Sequence, residues 1–249
     1  MSEYRSLSDY LRIQVPILVA HDRDLRWATR VALRSAQDVV RELSGAGVLE
    51  WSATRGWSGP RAVIQRAGLP EGTRGRKDAG APMVAVADFI EWLKSVEEKK
   101  GVDEVASQGF TGGIVVLHDL FSYLEDPILI RGLADLYDLL FSSMGTAVIP
   151  LSAPLPQGHP LESYAIQAHT AHDPEKRYGG MAKEIVSEFG KLAVGSSVDE
   201  VVKALDGLSV TEAETVCRLI AMDILSMDGP YTGGTLQHRV RDERSRMKS

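Results

Sequence analysis

An apolar, β-branched run from Thr111 to Leu120 (TGGIVVLHDL) closes on His118-Asp119, and a second from Thr146 to Ala153 (TAVIPLSA) closes on Ser152. A carboxylate at the end of a buried strand can orient Mg²⁺, and a hydroxyl at the end of the next strand can sense the phosphate that the ion holds. Such chemistry needs a third part, the G-x-x-x-x-G-K-[ST] turn whose backbone amides and lysine cradle phosphates. No such turn lies upstream of Asp119, and Leu120 stands where a water-activating glutamate would follow. Asp119 and Ser152 therefore read as Walker B-like and sensor-like vestiges, and the plainer reading of Asp119 is a helix cap or strand-end hydrogen bond.

Other chemistry-bearing residues are sparser. Gly190-Lys191-Leu192-Ala193-Val194-Gly195-Ser196-Ser197 has phosphate-loop glycine spacing, but Ser196 fills the lysine position and no strand precedes it. It reads as a glycine-ended helix followed by a serine cap. Gly72-Thr73-Arg74-Gly75-Arg76-Lys77 is basic and glycine-rich and reads as a solvated loop that could touch phosphate. His169-Thr170-Ala171-His172-Asp173, with His159 upstream, has the nitrogen-plus-carboxylate content of a metal site but no recognised ligand spacing, so no metal is expected. Arg55, between Trp51 and Trp57, admits two roles: an inter-subunit arginine, or a guanidinium stacked on tryptophan as structure. There is no G-x-S-x-G elbow. The single cysteine, Cys217, sits in an apolar helical stretch and reads as a buried small hydrophobe in a reducing compartment.

The elements that must position these residues alternate. Val15–Ala20 is an apolar run of the kind buried on both faces of a parallel sheet. Residues 22–43 repeat Leu25, Ala28, Ala32, Ala36, Val39 and Leu43 at helical spacing, with Asp22 as the expected N-cap. A strand at 48–53, a glycine-, proline- and arginine-rich loop at 58–81 and a helix at 82–99 follow. Strand 113–118, a helix capped by Asp126-Pro127, and strand 146–152 complete the alternation, with Pro150 limiting backbone pairing in the last. Strand–helix alternation predicts a parallel α/β sheet with right-handed crossovers. After Pro154 the pattern turns helical, over 180–193, 198–206 and 211–227. The expected organisation is an α/β domain over 1–180, a small helical lid-type subdomain over 181–235, and a charged, projecting linker helix over 236–249.

The 249 residues suffice for a substantial core, and 44% apolar with 25% charged is an ordinary globular balance. A net charge of −6 argues against a general nucleic-acid binder. The N-terminus is charged from the start and no apolar run approaches the ~20 residues of a spanning helix, so the expectation is a cytoplasmic protein without a membrane segment.

In this order the segments resemble the N-terminal half of the AAA-type ATPases of cyanobacteria and red-algal plastids, a family found also in other bacteria and phages. The resemblance rests on Val15–Ala20, on Glu50-Trp51-Ser52-Ala53-Thr54-Arg55-Gly56, and on Leu117-His118-Asp119 followed by Tyr123-Leu124-Glu125-Asp126-Pro127. It extends to Ala204-Leu205-Asp206-Gly207-Leu208-Ser209 and Glu212-Ala213-Glu214, and to Asp242-Glu243-Arg244 near the end. It implies a degenerate P-loop NTPase-like (AAA/RecA-like) fold with a helical lid-type subdomain. It also implies a non-catalytic N-terminal domain of an AAA-type ATPase system, acting in assembly or substrate engagement. Hydrolysis of ATP with magnesium would belong to a separate AAA module, in cis or in trans, and this chain would carry no cofactor of its own. The implied partners are that module, further copies of the chain in a homo-oligomer, and a protein substrate. Two other readings stay open: an active ATP-binding enzyme with a non-standard phosphate loop, and a stand-alone structural or scaffold protein.

Overall fold

The computed structural model describes residues 6–43, 47–61, 64, 69, 82–99, 113–170, 173–189, 197–225 and 235–247. The basic loop at 72–77, most of 190–197, and His172 lie outside the described residues. The chain divides into two compact units, Met1–Thr170 and Ala171–Ser249.

In the first unit, α1 (Leu7–Arg12) precedes β1 (Ile17–His21), α2 (Leu25–Leu43), β2 (Val48–Ser52), β3 (Gly56–Ser58) and α3 (Pro82–Lys99). Then come β4 (Ile114–Leu117), a 3-10 turn (Leu120–Tyr123), α4 (Pro127–Ser143), β5 (Thr146–Leu151), a second 3-10 turn (Pro160–Ser163) and β6 (Ala165–His169). The strand order is β3-β2-β4-β5-β1-β6. Every neighbouring pair is parallel except β2 with β3. The architecture is the expected mostly parallel α/β sheet flanked by helices, with two strands added at its edges that the sequence did not announce. β3 is a three-residue return after a tight turn, and β6 (AIQAH) is too short and too weakly apolar to stand out.

Alternation along the central strands decides which helix meets which face. Ile17, Val19, Leu49, Trp51, Val115, Leu117, Ala147 and Ile149 pack with Phe89 and Leu93 of α3 and Leu129, Leu133 and Leu136 of α4. Ile64 and Leu69, from the segment expected to be all loop, are buried in the same cluster. Leu18, Ala20, Ile114, Val116 and Val148 point the other way, onto Leu7 and Leu11 of α1 and Ala32, Ala36 and Val39 of α2. Alanines at every fourth position of α2 let its backbone lie close over the sheet. Between α3 and α4 the approach is set by Gly132: a Cβ there would stand 3.2 Å from Val86 Cγ1. Pro150 pairs in register with Ala20 of β1, while the β4–β5 pairing ends at Val116–Val148, two residues short of it.

The second unit holds four helices among the described residues: α5 (Pro174–Phe189), α6 (Val198–Leu205), α7 (Val210–Leu225) and α8 (Leu236–Met247). α5 runs through Gly179-Gly180, where the sequence suggested a helix start. Ser209 and Glu212 form a reciprocal cap at the start of α7, with bonds of 2.7 and 3.2 Å. Tyr178 donates its hydroxyl to the Leu208 carbonyl, tying α5 to the α6–α7 turn.

The expected projecting helix at the end of the chain is instead part of this bundle. Leu236 and Val240 are fully buried among Tyr178, Val201, Leu205, Val216 and Ile220. The charged residues around them are used rather than displayed. Buried Glu243 pairs with Arg246 at 2.7 Å, and Arg244 donates to the Ala204 carbonyl at 3.2 Å. Gln237 donates to Glu200 at 2.6 Å. Two apolar side chains one turn apart suffice to dock a short helix when its polar groups are matched on either side, a combination that average composition conceals. Leu236→Ala is therefore expected to destabilise the helical unit by about 2–5 kcal/mol, the usual cost of truncating a buried leucine. Urea denaturation followed by circular dichroism measures this, and a change below about 0.5 kcal/mol, the range of inert surface substitutions, would restore the projecting helix.

Candidate functional site

The carboxyl ends of parallel strands are where open α/β sheets place ligands, because loops and helix N-termini converge there. In this chain the ends of β2, β4 and β5 bound a cleft of about 200 Å³ on the α2 side of the sheet. Leu25 and Thr29 of α2, Ser52, Thr54 and Arg55 beyond β2, His118 and Asp119 beyond β4, and Pro150 of β5 line it.

His118 extends the β2–β4 ladder by one bond, its backbone N–H donating to the Trp51 carbonyl at 2.8 Å. The buried imidazole brings Nε2 to 3.5 Å from Glu50 Oε2, within the ~4 Å reach of an ion pair. The Glu50 carboxyl is held below the usual carboxylate range, first by the bond to His118, with the charges of His118 and Arg55 adding and burial opposing.

Asp119 takes a left-handed backbone conformation (φ 61°, ψ 13°), which aspartate tolerates better than most residues. Its carboxylate makes no cap for the 3-10 turn that follows. It accepts instead the backbone N–H of Ala53 at 3.1 Å, fastening the turn after β2 to the end of β4. Ser152 follows β5, so both residues stand at the carboxyl ends of neighbouring parallel strands. Arg55 is held by buried Ser52, whose Oγ accepts its backbone N–H at 3.2 Å and its Nε–H at 3.4 Å. Trp51 and Trp57 are buried in the core on the opposite side, and neither serves as the stacking platform the sequence offered.

At the end of β1 only Asp22, Arg23 and Asp24 separate the strand from α2. The expected cap, Asp22, is two residues too early. Asp24 caps α2, its Oδ1 accepting the N–H groups of Arg26 at 3.0 Å and Trp27 at 3.2 Å. Asp22, buried, accepts the Asp24 N–H at 2.9 Å and the Thr170 hydroxyl at 3.0 Å, which ties β1 to the end of β6. The amides that would face a phosphate at this helix N-terminus thus face the chain's own carboxylate.

The histidines of the expected nitrogen-rich segment part company. His159 Nδ1 accepts the Leu161 N–H at 3.2 Å, and its Nε2 lies 3.1 Å from the Leu124 carbonyl. Asp173 accepts the Lys176 N–H at 3.2 Å at the start of α5, which lowers its pKa. His169 lies instead beside His21, its in-register neighbour on β1, with ring centroids 5.2 Å apart and planes at 77°. Burial, and then the proximity of His169, push the His21 pKa down. Among the described residues no cluster of three or more His, Cys, Asp or Glu is arranged to hold a metal. Cys217 lies in the helical unit, where burial pushes its thiol pKa up to about 11. The pairs Glu50–His118, Asp22–Thr170 and His21–His169 escaped sequence reading because each joins residues far apart, and only the parallel register brings them together.

Residues 4–165 match the family described as SpoVK-like AAA ATPase, N-terminal domain. Among solved structures the chain is similar to C. elegans PCH-2, at 11% identity over 98% of this chain and 67% of that one, with a TM-score of 0.45. No curated protein matches it. No helix among the described residues is long and apolar enough to cross a membrane.

The lowered Glu50 pKa fixes a sign for pH dependence. A carboxyl whose folded pKa is depressed stabilises the fold above its unfolded value, near 4.3, and loses that contribution as pH falls through the folded value. Glu50→Gln is expected to melt below the parent at pH 7, with the two melting temperatures converging as pH falls below about 4.3. A gap that stays constant down to pH 3 would show that the Glu50 charge is not what the His118 contact stabilises.

Proposed function

Because the chain belongs to the SpoVK-like AAA ATPase N-terminal domain family, we propose that it is the non-catalytic, P-loop-derived part of an AAA-type ATPase system. Its role is assembly of that system or engagement of its protein substrate, while a separate AAA module, in cis or in trans, binds ATP and magnesium and hydrolyses the nucleotide. The observation that carries this reading is the three-residue junction between β1 and α2, closed by Asp22 and Asp24. A phosphate at this helix N-terminus would have to displace the Asp24 carboxylate from the two amides and meet the negative charge of Asp22. Asp119 supports the same reading, since its carboxylate is engaged with a backbone amide of its own sheet. In this reading Asp119 and Ser152 are vestiges of a nucleotide site, and Arg55 is the residue offered to a neighbouring subunit of a homo-oligomer. Closer kinship with the proteins of cyanobacteria, red-algal plastids and phages, and a cytoplasmic location, belong to the same proposal.

The chain alone is expected to release no phosphate from ATP with magnesium above the buffer rate, and Asp119→Asn is expected to change nothing in that assay. Steady-state turnover by the parent that Asp119→Asn abolishes would overturn the reading and favour an enzyme with a non-standard phosphate loop. Light scattering with and without an AAA module of the family separates the remaining alternative: a particle that enlarges only on its own, indifferent to the module, would be a free-standing scaffold.

A further inference from the structure

β6 is the outermost strand on its side of the sheet and pairs only with β1. The pairs Ile17–Ala165, Val19–Gln167 and His21–His169 set the register, and the Thr170 N–H donates to the His21 carbonyl at 3.0 Å. This turns the backbone N–H and C=O of Ile166 and Ala168 toward β1, and those of Ala165, Gln167 and His169 away from the sheet. Among the described residues no strand, turn or loop backbone meets these outward groups. We propose that this edge pairs with β6 of a second copy of the chain, antiparallel about a two-fold axis at Gln167, so that two sheets become one.

Edge strands are kept from pairing by prolines, lysines, bulges or extreme shortness. β6 has none of these: Ala165–His169 holds no proline, lysine, arginine or acid, and its register with β1 is unbroken. The opposite edge is blunted, since β3 has three residues and runs into Gly59-Pro60. The outward groups of β6 are also self-complementary. Centred on Gln167, the antiparallel pairing sets Ala165 against His169 of the partner subunit, and Gln167 against itself. Each such pair exchanges both backbone bonds, so every outward N–H finds a carbonyl. Small alanine stands across from the larger imidazole, and no like fixed charges face one another. On the α1–α2 side of the sheet Ile166, 39% exposed, would lie across from Ala168 of the partner subunit and lose its water. An extended peptide of another protein could use the same edge, but the symmetric match of the outward set favours a second copy. The contact is independent of the ATPase reading and of Arg55, which follows β2 near the other edge.

Sedimentation equilibrium of the whole chain over a rising concentration series tests the proposal, and a reversible monomer–dimer equilibrium is expected. His169→Pro deletes an outward N–H and no bond to β1. Ile166→Lys brings like charges of the two copies together at the edge. Each should weaken dimerisation at least tenfold. Gln167→Cys in a Cys217→Ser background should give a disulfide-linked dimer on mild oxidation. Only pairing centred on residue 167 sets that position against itself, with about 5.5 Å between the Cα atoms. Parent chain that stays monomeric at millimolar concentration overturns the proposal, and a foreign peptide is then the occupant to seek. A dimer as tight in both β6 variants as in the parent overturns it too, and its loss in Arg55→Ala would assign it to that other contact. Circular dichroism spectra matching the parent ensure that lost association reports the lost edge. If His169→Pro fails to fold, Ile166→Lys and the cysteine cross-link decide.

Discussion

Two carboxylates at the end of β1 govern how the rest of the α/β unit is put together. A helix N-terminus presents amides with no partner inside the helix, and some acceptor must meet them. Here the acceptor is Asp24, placed so soon after the strand that α2 turns straight back over the sheet. Asp22, held inside by the Asp24 amide and the Thr170 hydroxyl, fixes the strand end from which that turn departs. The alanine stripe of α2 can then settle closely on Leu18, Ala20, Val116 and Val148.

The same device recurs along the carboxyl edge of the sheet. Asp119 reaches back to Ala53, joining the ends of β4 and β2. Glu50 and His118 lie side by side across the same two strands. Part of an edge that a ligand-binding α/β protein leaves open for small molecules is here occupied by contacts between the strands themselves, beside the cleft of about 200 Å³. The helical unit follows related logic, with side-chain caps at its helix starts and matched charges around the buried residues of α8.

The central sheet was legible in the sequence because a strand buried on both faces must be apolar throughout, and β1, β4 and β5 are. The Asp126-Pro127 cap was legible because its chemistry is local. β3 and β6 were not, since an edge strand half open to water carries no continuous apolar run. α8 misled because charge dominates its composition while two positions decide its packing. In the candidate site, the positions of Asp119 and Ser152 at strand ends could be read from the runs that precede them. What Asp119 binds could not, because Ala53 is 66 residues away and contributes only a backbone N–H.

The close passage of α3 over α4 carries a consequence for how this chain can vary. Gly132 leaves the Val86 methyl just short of where a β-carbon would sit. The glycine is there for clearance and not for an unusual backbone, since it lies within a regular helix. The two positions therefore act as a gauge for the spacing between the helices. An alanine at 132 would require the Val86 side chain to give by a few tenths of an ångström, so the residue at 132 limits how closely the two helices can pass.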